Sequence, residues 1–185
     1  MQPCVAALYV DVRRGPYAAM PGVQCWGVDE NADTYDGDLP VVAHPPCGHW
    51  GRYWYKAHDD GRAGPLAVAQ VRRVGGVLEH PRDSRLWRHC GLPLPGWLGD
   101  NWGGFTLEVF QRDWGHRADK PTWLYVCGVP RRLVPLLPAP APPREIRQTQ
   151  GGTRGELEKM SKTQRHLTPP PFAAWLVQLA KLATR

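Results

Sequence analysis

The sequence LPVVAHPPCGHW at residues 39–50 joins an apolar run to a double-proline turn that ends in a cysteine. Residues 39–43 are typical of a short buried strand. This strand must stop at Pro45 and Pro46, because proline lacks the N–H that a ladder or helix needs. Cys47 is therefore presented just beyond the C-terminal end of a strand. Ligands and reacting groups gather at this edge of an open α/β sheet, so Cys47 is a candidate nucleophile; the alternative is a packed, inert cysteine.

A helix and a second strand follow this turn. Residues 65–74 carry apolar side chains at helical spacing, and the pattern ends at Gly75 and Gly76. Residues 77–79 then form an apolar run that ends in Glu79. A strand–helix–strand unit takes a right-handed crossover, which makes the two strands parallel. We therefore expect Cys47 and Glu79 at the same edge of neighbouring strands.

The remaining patterns predict a Rossmann-like, methyltransferase-like α/β domain over residues 1–129 with a mostly parallel sheet. Further strands are predicted at residues 5–10, 23–26, 105–110 and 122–126, the last two as a closing antiparallel pair. Residues 84–89 are predicted to form a short helix capped by Asp83 or Ser84. Residues 130–165, rich in Pro, Arg and Gly, are predicted to be a linker or a loop ordered by a partner. Residues 166–185 are predicted to contain a helix, capped by Thr168, that packs on the domain.

Composition limits the class of protein. The 185 residues suffice for one proper core. The five cysteines are odd in number and lack disulfide spacing, and no apolar signal-peptide run follows the first methionine, which favours a reducing cytoplasm. No apolar run approaches the roughly 18 residues that a membrane span requires. We expect a soluble cytoplasmic protein.

Charge and aromatic content indicate a polyanionic partner. Lys and Arg number 23 against 17 Asp and Glu, for a formal net charge of +6, and there are nine tryptophans. Residues 50–56, WGRYWYK, alternate aromatic and basic side chains, a mixture that suits a splayed base or a single strand. The alternative is that these aromatic side chains fill the core.

The Pro-Pro-Cys turn and the later strand ending in Glu79 resemble the cytosine C5 DNA methyltransferases, and residues 120–125 resemble a basic-Thr-x-Leu strand of small phage or prophage relatives. The resemblance covers about residues 40–128. It implies that Cys47 attacks a pyrimidine ring and that Glu79 holds the base edge, on a base flipped out of the stack. It also implies S-adenosylmethionine as the cofactor, DNA or a nucleotide as the partner, and the cytoplasm of a bacterial or phage-infected cell.

Further site residues are predicted around these two. His49 and His80 are expected to orient groups or shuttle protons, and Asp11, Asp29 and Glu30 to bind the cofactor, as an acidic residue binds ribose in dinucleotide folds. Phosphate contacts are expected from five basic residues: Arg52, Arg82, Arg85, Arg117 and Lys120.

The sequence also departs from the family pattern, and in three ways. No glycine-rich loop follows the first strand, so the cofactor motif is degenerate. Glu79-His80-Pro81 stands in place of Glu-Asn-Val, and there is no Gln-x-Arg-x-Arg motif.

Two other functions are compatible with the same residues. The imidazoles and thiol of His44, Cys47, His49 and His80 are a ligand set for zinc or iron, which predicts a metal-dependent nucleic-acid enzyme. Their spacing matches neither Cys-x-x-Cys knuckles nor the zinc deaminase pattern. Alternatively, the fold is a scaffold for a nucleic-acid-binding protein without catalysis, in which the basic residues, including Arg112, carry the function.

Overall fold

The computed structural model describes residues 2–143 and 161–184. Its centre is a six-stranded sheet. The strands are β1 (Val5–Leu8), β2 (Val23–Trp26), β3 (Val41–Ala43), β4 (Gly76–Pro81), β5 (Phe105–Phe110) and β6 (Pro121–Cys127). The helices are α1 (Ala63–Val74), α2 (Arg85–His89), α3 (Lys162–His166) and α4 (Pro170–Ala180).

The sheet is mixed, with the strand order β2-β1-β3-β4-β6-β5. Strand β1 pairs in parallel with β2 and β3, and β3 pairs in parallel with β4. Strand β6 lies between β4 and β5 and is antiparallel to both. The predicted α/β class is therefore confirmed, including the parallel β3–β4 pair, the closing antiparallel pair and a C-terminal helix on the sheet. Strand β5 runs in the same direction as β4, because both oppose β6.

Two apolar layers hold the helices to the sheet. Alternate strand residues such as Val42 and Val77 face α4, which buries Phe172 and Leu176 among them. The opposite face packs against α1 and α2 through the remaining alternate residues, as the two-residue period of a strand requires. Five of the nine tryptophans are buried in these layers, Trp50, Trp87, Trp114, Trp123 and Trp175. The core interpretation of the aromatic content is thus correct for these five.

The junction between α1 and β4 depends on glycine. Gly75 ends α1 with a φ of 79°, and Gly76 has a φ of 121°. A side chain at Gly76 would collide with the backbone of Val41 in β3. Both residues lie in backbone regions that favour glycine, so the helix can turn sharply into a strand that pairs tightly with β3.

The structure differs from the predicted element limits in several places. Strands β1 and β3 are shorter than predicted, and Ser84 rather than Asp83 caps α2, by accepting from the N–H of Leu86. Helix α4 begins after Pro169, so Thr168 does not cap it. Helix α3 lies in the segment predicted to be a linker, and part of that prediction, residues 144–160, lies outside the described residues.

Within residues 2–143 and 161–184, no helix is long and apolar enough to cross a lipid bilayer.

Candidate functional site

One edge of the sheet collects side chains from four strands. Strands β3, β4 and β5 run in one direction and end at this edge, whereas the reversed strand β6 begins there. His44 follows β3, Glu79 lies near the end of β4, Gln111 follows β5 and Lys120 precedes β6. The fold therefore brings together polar residues that are far apart in the sequence.

Glu79 is the centre of a hydrogen-bonded network at this edge. Its Oε2 lies 3.1 Å from Nδ1 of His44, and its Oε1 accepts from Nε2 of Gln111 at 2.8 Å. Gln111 also donates to Oγ1 of Thr122 at 3.1 Å. The hydroxyl of Tyr17 lies 2.7 Å from Nε2 of His44. Both carboxylate oxygens are thus held in place, while the Glu79 side chain keeps 13% of its surface exposed toward solvent.

The charges in this network follow from the pKa shifts. Burial raises the pKa of Glu79, but the hydrogen bond and charge of His44, with help from Lys120, outweigh it and lower the pKa to about 2. Burial raises the pKa of Tyr17 well above its usual range, so its hydroxyl stays protonated. His44 therefore lies between the Glu79 carboxylate at Nδ1 and the Tyr17 phenol at Nε2, which fixes the orientation of its ring.

Cys47 lies in the field of the same carboxylate. Burial raises the pKa of its thiol, Glu79 raises it further, and Lys120 acts in the opposite direction. Burial lowers the pKa of Lys120, while Glu79 and Cys47 oppose that change. The Lys120 ammonium donates to the carbonyl of Leu167 at 2.8 Å. Cys47, Glu79 and Lys120 thus form one electrostatic group in which the thiol is protonated at rest.

His49 and His80 are placed outside this network. Consecutive residues of a strand face opposite sides of the sheet, so His80 points away from Glu79 into the layer under α2, 6.4 Å from the ring of Trp87. Burial lowers the pKa of His80 to about 4. His49 packs 5.0 Å from the ring of Trp50 and against Gly61. Neither imidazole has a hydrogen bond to Glu79 or Cys47 in the described part of the chain.

The predicted metal ligands do not form a cluster. Among the described residues, no group of three or more His, Cys, Asp or Glu side chains is arranged to hold a metal ion. His44 instead binds Glu79 and Tyr17. Of the other predicted ligands, His80 packs near Trp87 on the face of the sheet opposite Glu79, whereas His49 packs against Trp50.

The acidic residues predicted to bind a cofactor follow β1 and β2. Oδ1 of Asp11 accepts from the N–H groups of Arg13 and Arg14, both at 2.9 Å, and these bonds lower the pKa of Asp11. Oε2 of Glu30 accepts from the N–H of Gly27 at 2.9 Å. Asp29 is exposed. The carboxylates of Asp11 and Glu30 therefore stabilise the loops in which they lie by accepting backbone hydrogen bonds.

The glycines of these loops do not form an open cradle for S-adenosylmethionine. A side-chain carbon at Gly15 would lie 2.5 Å from the carbonyl oxygen of Asp11, and one at Gly27 would lie 2.8 Å from that of Val10. The space that these glycines leave is filled by the backbone of the loops themselves. The loops therefore do not fit the close backbone approach to S-adenosylmethionine that the resemblance implies.

The predicted phosphate-binding residues fall into different surroundings. Arg82 forms ion pairs with Glu108 at 3.3 Å and Asp83 at 3.5 Å. Arg117 is exposed in the loop before β6. Arg52 and Arg85 lie over exposed aromatic rings, whereas Lys120 belongs to the Cys47 group described above.

Three residues of the network were missed by the sequence analysis: Tyr17, Gln111 and Thr122. Gln111 and Thr122 lie at the two ends of the loop between β5 and β6. The predicted antiparallel pair would have placed both residues at this edge of the sheet if β5 had also been predicted to run parallel to β4. Tyr17 lies in an irregular segment after β1, where no periodicity indicates its position.

Comparisons with known proteins identify no relative. No protein-family model, curated protein or solved structure matches this chain.

Proposed function

We propose that this protein modifies a nucleobase in DNA or in a nucleotide, with Cys47 as the nucleophile, as in the cytosine C5 methyltransferases that its sequence resembles. The observation that carries the proposal is the placement of Cys47 in the field of Glu79, a carboxylate fixed by His44 and Gln111 at the same sheet edge. The proposal is also supported by the mixed sheet, in which β6 is the one reversed strand.

The proposed first step is the addition of the Cys47 thiolate to C6 of a pyrimidine. The thiol of Cys47 loses its proton to solvent water, the S–C6 bond forms, the C5=C6 π bond breaks, and its electron pair moves to C5. Glu79, ionised because its pKa is about 2, accepts a hydrogen bond from the exocyclic amino group and fixes the ring against Cys47. The ammonium of Lys120 offsets the negative charge of the thiolate. This step requires no methyl donor.

The electrostatics connect this step to substrate binding. The thiol of Cys47 is protonated in the free protein, because burial and the Glu79 carboxylate both raise its pKa. A base that donates a hydrogen bond to Glu79 offsets part of the negative charge of the carboxylate. The carboxylate then raises the pKa of the Cys47 thiol less. The thiolate is therefore expected to form when a base occupies the site, which protects the free cysteine from oxidation.

Exchange of the C5 hydrogen tests this step directly. In D₂O the carbon at C5 takes up a deuteron, and loss of the original proton with cleavage of the S–C6 bond returns a labelled base. Mass spectrometry of cytosine-containing oligonucleotides and nucleotides measures the label. We expect exchange with the wild type and with Cys90→Ser, a partly buried cysteine elsewhere, and none with Cys47→Ser. Equal exchange by Cys47→Ser, or none by the wild type, would overturn the proposal.

A second candidate function is nucleic-acid binding without catalysis. The raised pKa of Cys47 favours it, since a protonated thiol is a poor nucleophile. The exposed rings beneath Arg52 and Arg85 favour it as well. Binding of an oligonucleotide that is unchanged in Cys47→Ser, together with no C5 exchange in the wild type, would select this function.

A further inference from the structure

Three consecutive aromatic side chains are exposed shortly after Cys47 in the chain. Tyr53 is 46% exposed, Trp54 45% and Tyr55 62%. They lie in and beside a 3₁₀ turn at Trp54–Lys56. Large exposed aromatic groups of this kind mark interaction surfaces more often than chance exposure. We call residues 52–56 together with Arg85 the aromatic patch.

Each ring of the aromatic patch carries a cation. The guanidinium of Arg85 lies 4.2 Å from the centre of the Trp54 ring, that of Arg52 5.8 Å from Tyr53, and the ammonium of Lys56 5.7 Å from Tyr55. Within the described residues, none of these three cations has a carboxylate within 4.0 Å, whereas other arginines of the chain, such as Arg62, Arg72, Arg82 and Arg112, are ion-paired. The aromatic patch thus combines flat surfaces with positive charge that the protein itself does not neutralise.

Backbone hydrogen bonds tie this surface to the candidate site. The N–H of Gly51 donates to the carbonyl of Cys47 at 2.8 Å, and the N–H of Arg85 donates to the carbonyl of Trp50 at 3.0 Å. The buried Trp50 is anchored by a bond from its Nε1 to the carbonyl of Gly61 at 3.0 Å. These bonds fix the backbone at the aromatic patch relative to Cys47.

We infer that the aromatic patch binds an unpaired nucleic-acid strand, and that the substrate of the site is presented as a single strand. This inference rests on the proposed function. Bases stack on aromatic faces, and cations beside those faces bind the phosphates between them. Stacking requires a base with a free face, which an unpaired strand offers and a duplex interior does not. The patch offers ring faces and point charges rather than a helix or ribbon that could read a groove.

Oligonucleotide binding tests the inference, measured by fluorescence anisotropy with a labelled single strand and with a hairpin duplex that contains the same sequence. We expect the wild type to prefer the single strand, and Trp54→Ala to weaken its binding by about tenfold or more. Trp97→Ala is the matched control, because Trp97 is 63% exposed and no cation lies over its ring among the described contacts. It should leave the affinity unchanged.

Charge is tested with the double variant Arg52→Gln, Lys56→Gln. The slope of log affinity for the single strand against log salt concentration should become shallower by roughly one unit for each cation removed, because each cation accounts for about one phosphate contact. Circular dichroism should show wild-type folding, since these side chains are exposed. Equal affinity for the duplex and the single strand, or equal effects of Trp54→Ala and Trp97→Ala, would overturn the inference.

The outcome is separable from that of the proposed function. Cys47→Ser should bind the single strand as the wild type does, because the thiol is not part of the aromatic patch. Trp54-dependent binding with no C5 exchange in the wild type would uphold the patch and reject the reaction. C5 exchange on a single strand that Trp54→Ala leaves unchanged in affinity and rate would reject the patch and uphold the reaction.

Discussion

The Glu79 network and the aromatic patch are both linked to Cys47, but they are built in opposite ways. In the network, the hydroxyl of Tyr17, both ring nitrogens of His44 and both carboxylate oxygens of Glu79 each have a polar partner. In the patch, the rings are about half exposed and the cations have no carboxylate partner among the described residues. The network holds one carboxylate in one geometry, whereas the patch offers several adaptable contacts.

This difference indicates a division of function, in which the network positions the reacting ring and the patch provides affinity. A fixed carboxylate beside a thiol is suited to positioning one reacting ring, because small displacements of reacting groups are costly in rate. Exposed rings with unpaired cations are suited to affinity that tolerates many sequences. If the division is correct, variants of one region should change one property and leave the other intact.

The largest expected effect is that of Glu79→Gln. Glutamine keeps the shape but removes the negative charge and changes the hydrogen bond from His44. We expect C5 exchange to fall by roughly 10²–10³-fold, with the affinity for a single strand that lacks cytosine unchanged. Exchange rates by mass spectrometry and anisotropy titrations of the same preparation check both. A parallel loss of affinity would show that the two regions are not separate.

The next effect concerns stability in acid and depends on His80, which lies on the other face of the sheet. Its pKa falls from 6.5 to about 4 on folding, so the unfolded chain binds a proton more readily between these values. The free energy of unfolding therefore keeps its full value above pH 6.5 and decreases by roughly 2–3 kcal/mol as the pH falls toward 4. Urea unfolding across this range measures the loss.

The substitution His80→Leu should remove that dependence on pH, and His89→Leu, at an exposed histidine on α2, should retain it. Glu79 contributes a separate loss at lower pH, because its pKa falls from 4.5 to about 2 on folding. Acid sensitivity between pH 6.5 and 4 that persists in His80→Leu would contradict the assignment.

A smaller effect is expected from Tyr17→Phe. The phenol contacts Nε2 of His44 at 2.7 Å and holds its ring against Glu79, so its loss should lower the free energy of unfolding by about 1 kcal/mol and slow C5 exchange severalfold. Tyr35→Phe is the matched control, since the Tyr35 hydroxyl donates to the carbonyl of Leu39 at 3.1 Å, away from the network. It should cost similar stability without slowing exchange. Equal rates in the two variants would argue against a positioning role for Tyr17.

The smallest effect is on the reactivity of the thiol. The Glu79 carboxylate raises the pKa of Cys47, so Glu79→Gln should lower that pKa and speed alkylation of Cys47 by iodoacetamide near neutral pH. Peptide mass spectrometry resolves the five cysteines. Cys90 is the internal control, because burial and Arg72, rather than Glu79, set its pKa. An unchanged alkylation rate at Cys47 would show that the Glu79 carboxylate lies too far from the sulfur to change the pKa of the thiol.

The parallel β3–β4 pair could be predicted because its signals are local. Prolines end β3, Gly75 ends α1, and the crossover rule then fixes the direction of the second strand. The start of α4 was harder to predict, since both Thr168 and Pro169 are compatible with a first turn. The observed cap is Pro169.

The candidate site was predicted only in part. Cys47 and Glu79 follow from the ends of two strands, but grouping His80 with Glu79 overlooked the two-residue period, which sends their side chains to opposite faces. Tyr17 and Gln111 reach Glu79 through tertiary contacts across the sheet edge, and such contacts leave no periodic signal in the sequence.

The most direct test of the central claim is covalent capture of the nucleophile. A single-stranded oligonucleotide in which 2-pyrimidinone replaces cytosine presents a ring whose C6 is open to thiol addition. Peptide mass spectrometry of the incubated protein should show one adduct, on the peptide that contains Cys47, and none in Cys47→Ser. An adduct on Cys4, Cys25 or Cys90 instead, or no adduct at all, would contradict the assignment of Cys47 as the nucleophile.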